Sequence, residues 1–363
     1  MTEPPQETCF VNPDVHRGAS IDGMKRFSHE AMATTFELLI VHKDERYAAQ
    51  AAAAAFDEVD RLERELSRFI ENSDVARINN LPANQSLQLG LDTFECLKIA
   101  KRVYAETNGA FDITIGTLLK CWRSDDGPDR RASGRSRWTS GSPKEIPMDI
   151  GIARMRTGMN LLQLNENEHT ITLSASPVHV DLGGIGKGYA VDRVAELLRE
   201  WSIDVALISG GYSSVLALDA PVARASRPRI AGRMPATHKA RMASPQKGWP
   251  LTITNPAGDK EILARPFLKN SALSGSGVQK GGHIIDPRTA RAVKGRRAAW
   301  SSAPDATSAD ALSTAFMIME IEEIKNYCSK HPDTMAMVIL EEQDEHLQQE
   351  ILRFGAWESI LDS

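Results

Sequence analysis

The spacing of apolar residues along the chain predicts an irregular succession of helices and strands. Apolar residues recur every three or four positions over residues 47–69, which predicts one long helix. The same spacing predicts helices at residues 91–106, from residue 190 to about 201, and at 312–321. Shorter apolar runs predict strands at residues 36–41, 205–209, 214–218, 251–254, 262–264 and 335–340.

Three segments interrupt this pattern. Residues 1–26 are polar and contain proline, which predicts a loose arm ahead of one domain over residues 27–363. Residues 123–143 are rich in glycine, serine and arginine and predict a loop. Residues 221–250 form a basic insert with seven lysine or arginine residues and no acidic residue. The insert is either a solvated loop or a docking surface for an anionic ligand or an acidic partner.

Composition and charge exclude several classes of protein. The 363 residues are 42% hydrophobic and carry a net charge of −5, which argues against nucleic acid as a partner. The four cysteines are scattered, so neither a zinc site nor a disulfide framework is expected. The chain has no apolar run of membrane-spanning length and no signal peptide, which predicts a cytoplasmic protein as written. Removal of a leader would instead place it in the periplasm or anchor it to a membrane.

The most distinctive segment is residues 181–192, Asp-Leu-Gly-Gly-Ile-Gly-Lys-Gly-Tyr-Ala-Val-Asp. It follows an apolar alternating run and precedes an amphipathic one, so a strand, a glycine loop and a helix are predicted. Free N–H groups at a helix start, with Lys187 among four glycines, suit a phosphate group. The glycine spacing matches neither the Walker loop nor the Rossmann fingerprint. The alternative is a tight turn whose glycines only relieve crowding.

Three other clusters carry candidate chemistry. In residues 109–114, alternation predicts a strand with Asp112 and Thr114 on one face, and the alternative is ordinary turn chemistry. Residues 282–289 place His283, Asp286 and Arg288 together. These residue types suit a general base, a supporting or metal-binding carboxylate and a phosphate contact, and the alternative is a hydrogen-bonded Asp-Pro turn.

The third cluster is residues 308–314, where Asp310 and Thr314 lie four positions apart on a predicted helix. Their oxygens therefore share one helix face and suit a hard cation such as Mg²⁺. The alternative is an aspartate placed near a helix start by capping and the helix dipole.

Taken in order, these segments resemble the FAD:protein FMN transferase family, also called the ApbE family. The resemblance covers residues 27–340 and rests on motifs at 32–36, 66–69, 73–79, 109–114 with Gly116 and Trp122, 181–192, 283–289, and 309–311 with Thr314. It implies an α+β fold of mixed β-sheets with flanking helices, in two intimately packed lobes with the flavin in the cleft between them.

The resemblance implies Mg²⁺-dependent transfer of FMN from FAD to a threonine hydroxyl of an acceptor flavoprotein, with AMP released. Two alternatives are an FAD pyrophosphatase that yields FMN and AMP, and a flavin-binding protein without catalysis. The implied partners are FAD and the acceptor. Nucleic acid is not a partner, and a membrane would be reached only through an acceptor complex or a removed anchor.

The same resemblance assigns site residues. Asp310 and Thr314 would hold the metal, with the Gly186 carbonyl. His283 would be the base, with Asp286 supporting it or the metal, and Lys187 and Arg288 would face negative charge. The remaining residues implied to bind the cofactor are Met32, Thr34, Phe69, Asp112, Gly183 and Gly184.

The chain departs from the family pattern at several positions. Ala33 and Gly186 stand where the family usually has glycine and alanine, respectively. Tyr212 follows Gly210 and Gly211 where the family has an aspartate, and Ala290 stands where it has a glycine. These departures bear on nucleotide affinity and acceptor choice more than on the reaction class.

Overall fold

The computed structural model describes residues 11–13, 23–122, 148–219, 248–256, 261–278, 284–341 and 350–361. The helices are α1 (Glu45–Leu66), α2 (Asp74–Asn79), α3 (Leu91–Glu106), α4 (Gly116–Trp122), α5 (Met148–Met155), α6 (Gly186–Glu200), α7 (Ala306–Ile318) and α8 (Ile321–Lys330). The strands are β1 (Val11–Pro13), β2 (Met24–Ala31), β3 (Thr34–Val41), β4 (Ser86–Gln88), β5 (Leu162–Asn165), β6 (Thr170–Leu173), β7 (Ala206–Gly210), β8 (Ser214–Leu218), β9 (Trp249–Thr254), β10 (Ile262–Ala264), β11 (Phe267–Leu268), β12 (Ser271–Gly277), β13 (Ile285–Asp286), β14 (Arg291–Ala292), β15 (Arg296–Ala303), β16 (Met335–Leu340) and β17 (Ile351–Phe354).

An eight-stranded sheet with the order β17-β16-β15-β12-β8-β7-β3-β2 forms the centre of the fold. Its neighbouring strands all pair antiparallel. Short turns join β2 to β3 and β7 to β8, and a short turn can only join antiparallel strands. The sequence predicted mixed sheets, but the strands of the described residues pair antiparallel. Parallel pairing among these residues is confined to one bridge between Ile115 and His179.

Both faces of the large sheet are covered, and β3 shows how the sequence achieves this. Phe36, Leu38 and Ile40 point to the side where α1, α6 and α7 pack, whereas Leu39 points to the other side. That second side is covered by the small sheet of β1, β9, β10 and β11, and Trp249 of β9 is fully buried there. The two larger parts of the described core thus lie on opposite faces of a single sheet, and a smaller third part lies between α4, α5 and residues 285–290. A strand that is apolar on both faces appears in the sequence as a continuous apolar run.

Most predicted elements are present with small changes at their ends. The helix predicted at 91–106 is α3, and the strands predicted at 214–218 and 335–340 are β8 and β16. The helix predicted at 47–69 begins earlier, at Glu45, because the Asp44 side chain accepts the N–H groups of Arg46 and Tyr47.

Other predictions require correction. The helix predicted at 312–321 is α7, which starts at Ala306 because Asp305 caps it. Helix α7 ends at Ile318, with Met319 as its C-cap. A separate helix, α8, then begins with a capping box between Glu320 and Glu323. Part of the predicted loose arm is also ordered, since β1 pairs with β9 and β2 begins at Met24.

The two loops predicted at 123–143 and 221–250 lie outside the described residues, apart from 248–250. Among the helices of the described segments, none is both long enough and apolar enough to cross a membrane.

Candidate active site

A cavity of about 570 Å³ lies on the helical side of the large sheet. Its walls come from segments far apart in sequence, namely residues 32–34, 63–69, 110–115, 181–187, 212–213, 275–277, 284–287 and 310–318. Ten residues proposed from the sequence line it: Met32, Thr34, Phe69, Asp112, Gly183, Gly184, Gly186, Lys187, Asp310 and Thr314. Its volume lies within the range of pockets that hold ligands of cofactor size.

Of the alternating run that precedes the glycine segment, residues 170–173 form β6, as predicted. The residues directly before the segment form no regular strand and make only the bridge at His179. Helix α6 then begins inside the segment, at Gly186. A Cβ at Gly184 would lie 3.2 Å from the Thr314 hydroxyl oxygen and 3.4 Å from the Phe111 ring. Glycine at position 184 thus lets the segment approach α7 closely. The segment lines a cavity, as a phosphate loop would, and its glycine also relieves crowding, as the alternative predicted.

Asp310 and Thr314 project from α7 into this cavity, one helical turn apart. Asp310 is only 2% exposed. Its Oδ2 accepts the Gly188 N–H at 3.1 Å and lies 3.5 Å from the Lys187 ammonium. The Thr314 hydroxyl lies 3.2 Å from the hydroxyl of Ser276 on β12. The helix spacing inferred from the sequence therefore brings both oxygens to one wall.

These oxygens fit a hard divalent cation. Asp310 supplies a buried carboxylate, of which only Oδ2 receives a hydrogen bond from the part of the chain that the structure describes. Thr314 adds a hydroxyl, and Gly186 lies on the same cavity wall. The described segments contain no group of three His, Cys, Asp or Glu side chains placed to hold a metal. A cation here would need water oxygens, or those of a bound ligand, to complete its shell, as Mg²⁺ usually does.

Asp112 lies in a turn rather than in the predicted strand. Its Oδ1 accepts the Thr114 N–H at 2.8 Å and the Thr114 hydroxyl at 2.6 Å. These two hydrogen bonds to the Asp112 carboxylate stabilise the turn. Burial raises the pKa of the Asp112 carboxyl to about 6, and the hydrogen bonds from Thr114 oppose that rise. Near pH 6 this wall of the cavity can therefore offer either a donor or an acceptor.

The rim of the cavity carries exposed aromatic and strained residues. Phe69 is 81% exposed, and the Arg68 guanidinium lies 4.6 Å from its ring centroid. Tyr212 is 45% exposed. Met32 and Ala33 form the turn from β2 to β3 with φ of 51° and 57°. Ala33 thus occupies the left-handed region, which glycine, the residue usual at this position in the family that the chain resembles, tolerates better.

The predicted cluster around residues 282–289 is only partly in this site. His283 lies outside the described residues. Asp286 Oδ1 accepts the Arg288 backbone N–H at 2.9 Å and its Nε at 3.1 Å, and Arg288 also pairs with Glu323 at 3.2 Å. Ile285 and Pro287 line the cavity, whereas Asp286 and Arg288 do not. The Arg288 charge is thus balanced by carboxylates of the protein itself.

Several cavity residues were not predicted from the sequence. Arg68 pairs with Asp181 at 3.1 Å, and Asp181 also accepts the Gly183 N–H at 2.9 Å. Both residues lie in the motifs named above, so the sequence could have marked each as a site residue. Their pairing could not be predicted, because the two residues are far apart in sequence. Ser276 and Glu63 also line the cavity, and nothing in their local sequence points to a site.

Comparisons with known proteins identify the family of the chain. The model of the ApbE family matches residues 32–339, so the chain belongs to the ApbE family. The FAD:protein FMN transferase of Haemophilus influenzae is 24% identical over 333 residues, 86% of this chain and 85% of the relative. The protein of the same name from Vibrio cholerae is 28% identical over 271 residues, 72% of each chain.

A solved structure shows the same fold. The flavinyl transferase ApbE of Pseudomonas stutzeri, in its apo form, superposes with a TM-score of 0.71 at 20% identity, over 91% of this chain and 94% of that one. The α+β fold class expected from the sequence is therefore confirmed.

Proposed function

We propose that this chain transfers FMN from FAD to a threonine hydroxyl of an acceptor flavoprotein in a reaction that requires Mg²⁺. The observation that carries the proposal is the single cavity wall where the buried Asp310 carboxylate, the Thr314 hydroxyl and the Lys187 ammonium meet the glycine segment. Membership of the ApbE family and the names of the relatives support the same activity.

The oxygens of Asp310 and Thr314 and the carbonyl of Gly186 would hold the metal. A bound Mg²⁺ neutralises negative charge on a diphosphate, which is the main requirement of phosphoryl transfer. Lys187 adds a positive charge on the same wall, where Asp310 holds its ammonium at 3.5 Å. Lys187 is thus kept at the position where the diphosphate would lie.

The remaining step is proton removal from the acceptor. His283 is the proposed base, as its imidazole can accept the threonine proton near neutral pH. The threonine oxygen then bonds to the FMN-side phosphorus, the bond from that phosphorus to the bridging oxygen breaks, and AMP leaves. The product is FMN esterified to threonine, a post-translational flavinylation. Asp286 is held by Arg288, so its part would be to fix the segment after His283.

FAD hydrolysis and simple flavin binding are the competing functions. Water needs the same activation of phosphorus as a threonine hydroxyl, so the cavity alone does not distinguish a transferase from a pyrophosphatase. Binding without turnover would make no use of a buried carboxylate beside a hydroxyl and a lysine.

A direct experiment separates the three functions. The chain is incubated with FAD and Mg²⁺ and a flavin-acceptor domain that carries its target threonine, and with the same domain after Thr→Ala substitution as the control. We expect mass spectrometry to detect covalent FMN on the first domain only, with one AMP for each adduct. AMP and FMN without an adduct would show a pyrophosphatase, and FAD binding without AMP would show a non-catalytic protein.

A further inference from the structure

The N-terminus of α7 is held by two aspartates from different parts of the chain. An α-helix leaves its first N–H groups without partners in the helix. In α7, Asp305 is the usual N-cap, and its side chain accepts the Ser308 N–H at 2.7 Å. The two preceding N–H groups, of Ala306 and Thr307, go instead to Asp192 of α6, each at 2.8 Å.

The link is reciprocal. While Asp192 on α6 accepts the N–H groups at the start of α7, Asp310 on α7 accepts the Gly188 N–H in the first turn of α6 at 3.1 Å. The helices approach so closely there that a Cβ on Gly188 would overlap the Ala306 carbonyl group. Each helix thus caps the other across a contact that leaves little freedom to slide.

A carboxylate is the suitable group at position 192. Besides the two N–H groups, Asp192 accepts the Thr307 hydroxyl, so it serves three donors and needs to supply none itself. Burial raises the pKa of the Asp192 carboxyl to about 6, an unfavourable environment that the hydrogen bonds partly offset. An apolar residue would avoid that cost but would leave the N–H groups of α7 unsatisfied.

We propose that Asp192 is a positioning residue for the metal site, because it fixes the register between the glycine segment of α6 and the α7 residues Asp310 and Thr314. The proposal rests on the proposed function for the identity of the site. Gly186 and Lys187 immediately precede Gly188, whose N–H group donates to Asp310 across the contact between the two helices. Lys187 also pairs with Asp310. Asp192 contacts none of Gly186, Lys187 and Asp310, so its effect passes through the alignment of the two helices.

The test compares Asp192→Ala with Asp305→Ala. Each removes an aspartate cap from the same end of α7, but only Asp192 also belongs to α6. We expect each to lower the midpoint of a denaturant titration, because each leaves N–H groups at the start of α7 without their acceptor. Only Asp192→Ala should weaken binding of Mn²⁺, titrated alone and followed by electron paramagnetic resonance, by roughly 10- to 100-fold. Asp305→Ala should stay within about twofold of the unchanged chain.

A second pair guards against a misfolded variant. Thr307→Ala removes the hydroxyl that donates to Asp192, and Thr307→Ser keeps it. Weaker Mn²⁺ binding in Thr307→Ala that is restored in Thr307→Ser would support the role of Asp192. Equal Mn²⁺ affinities in Asp192→Ala and Asp305→Ala at equal stability would overturn it, as would an unchanged chain that binds no Mn²⁺. Mn²⁺ binding without any flavin transfer would overturn the transferase alone, because the affinities still decide the role of Asp192.

Discussion

Asp310 is the residue on which the proposed chemistry depends most directly. Its side chain is buried at the cavity wall, and one carboxylate oxygen contacts both the Gly188 N–H and the Lys187 ammonium. The carboxylate therefore has partners in a buried place where an unpaired one would be costly. Asp310 thus joins the fold and the site through a single side chain.

Replacing Asp310 with asparagine should keep the shape of the side chain and remove its charge. We expect Mg²⁺-dependent AMP release from FAD to fall by about two orders of magnitude or more, because several kcal/mol of charge stabilisation are lost. Initial rates at saturating Mg²⁺ measure this loss, and Asp305→Asn on the same helix is the control. Activity in Asp310→Asn equal to that of the control would remove Asp310 from the metal site.

Ala33 gives a prediction about stability. Its φ of 57° is unfavourable for any residue with a Cβ. Ala33→Gly should therefore raise the free energy of unfolding by up to about 1 kcal/mol. This is the gain from relieving the backbone strain, reduced by the greater entropy that glycine gives the unfolded chain. Ala49→Gly, at an exposed position in α1, is the matched control and should lower it by about 1 kcal/mol. Denaturant titration compares the two, and the same sign for both would contradict the strain at Ala33.

At the scale of elements, the contact between α6 and α7 organises the site. The glycines of the 181–192 segment have different roles there. Gly184 leaves room for the Thr314 hydroxyl, and Gly188 leaves room for the start of α7. A segment that resembles a phosphate loop in sequence is thus also a helix-packing motif, and both roles require a missing Cβ.

Gly188→Ala tests that packing role. Its methyl group would overlap the Ala306 carbonyl and come within 2.8 Å of the Asp310 Cβ, so the two helices must separate. We expect a loss of about 1–3 kcal/mol in the free energy of unfolding, together with weaker Mn²⁺ binding. Gly151→Ala in α5 is the control, because a Cβ there meets nothing within 4 Å. That control should gain roughly 0.5–1 kcal/mol, the helix preference of alanine over glycine.

At the scale of the whole molecule, stability and the site share buried carboxylates. Asp112 lines the cavity, Asp192 joins two helices, and burial raises the pKa of each to about 6. Between pH 4 and pH 6 the folded chain therefore binds protons that the unfolded chain has released. The stabilisation that results is complete below the unfolded pKa near 3.8 and is lost as the pH rises through 6.

The variant Asp112→Asn tests this pH dependence of stability at Asp112. Asparagine keeps an oxygen that can accept the hydrogen bonds of Thr114, but its side chain cannot ionise. Between pH 4 and pH 7.5 the unchanged chain should lose up to about 3 kcal/mol of unfolding free energy more than the variant does. At pH 4 the two should be close, since the wild-type carboxyl is then protonated too. Denaturant titrations across this range decide the matter, and parallel pH profiles would show that Asp112 does not titrate near pH 6.

The sequence by itself determined the local elements and the chemical types at the site. The periodicity of residues 91–106 predicted α3 to the residue, and the spacing of Asp310 and Thr314 placed both oxygens on one face of α7. Such features depend on neighbours within one or two helical turns, so the chain order contains them. The identity of the ligand, FAD, came only from the resemblance to a family, because no local pattern indicates it.

Only the tertiary structure decided which distant groups meet. The pairing of Arg68 with Asp181 and the contact of Asp192 with Thr307 have no periodic signal in the sequence. Each depends on the order of strands in the large sheet and on the distance at which α6 and α7 pack. Those are set by the burial of apolar area over the whole chain, and a local pattern records which side chains are buried but not what they are buried against.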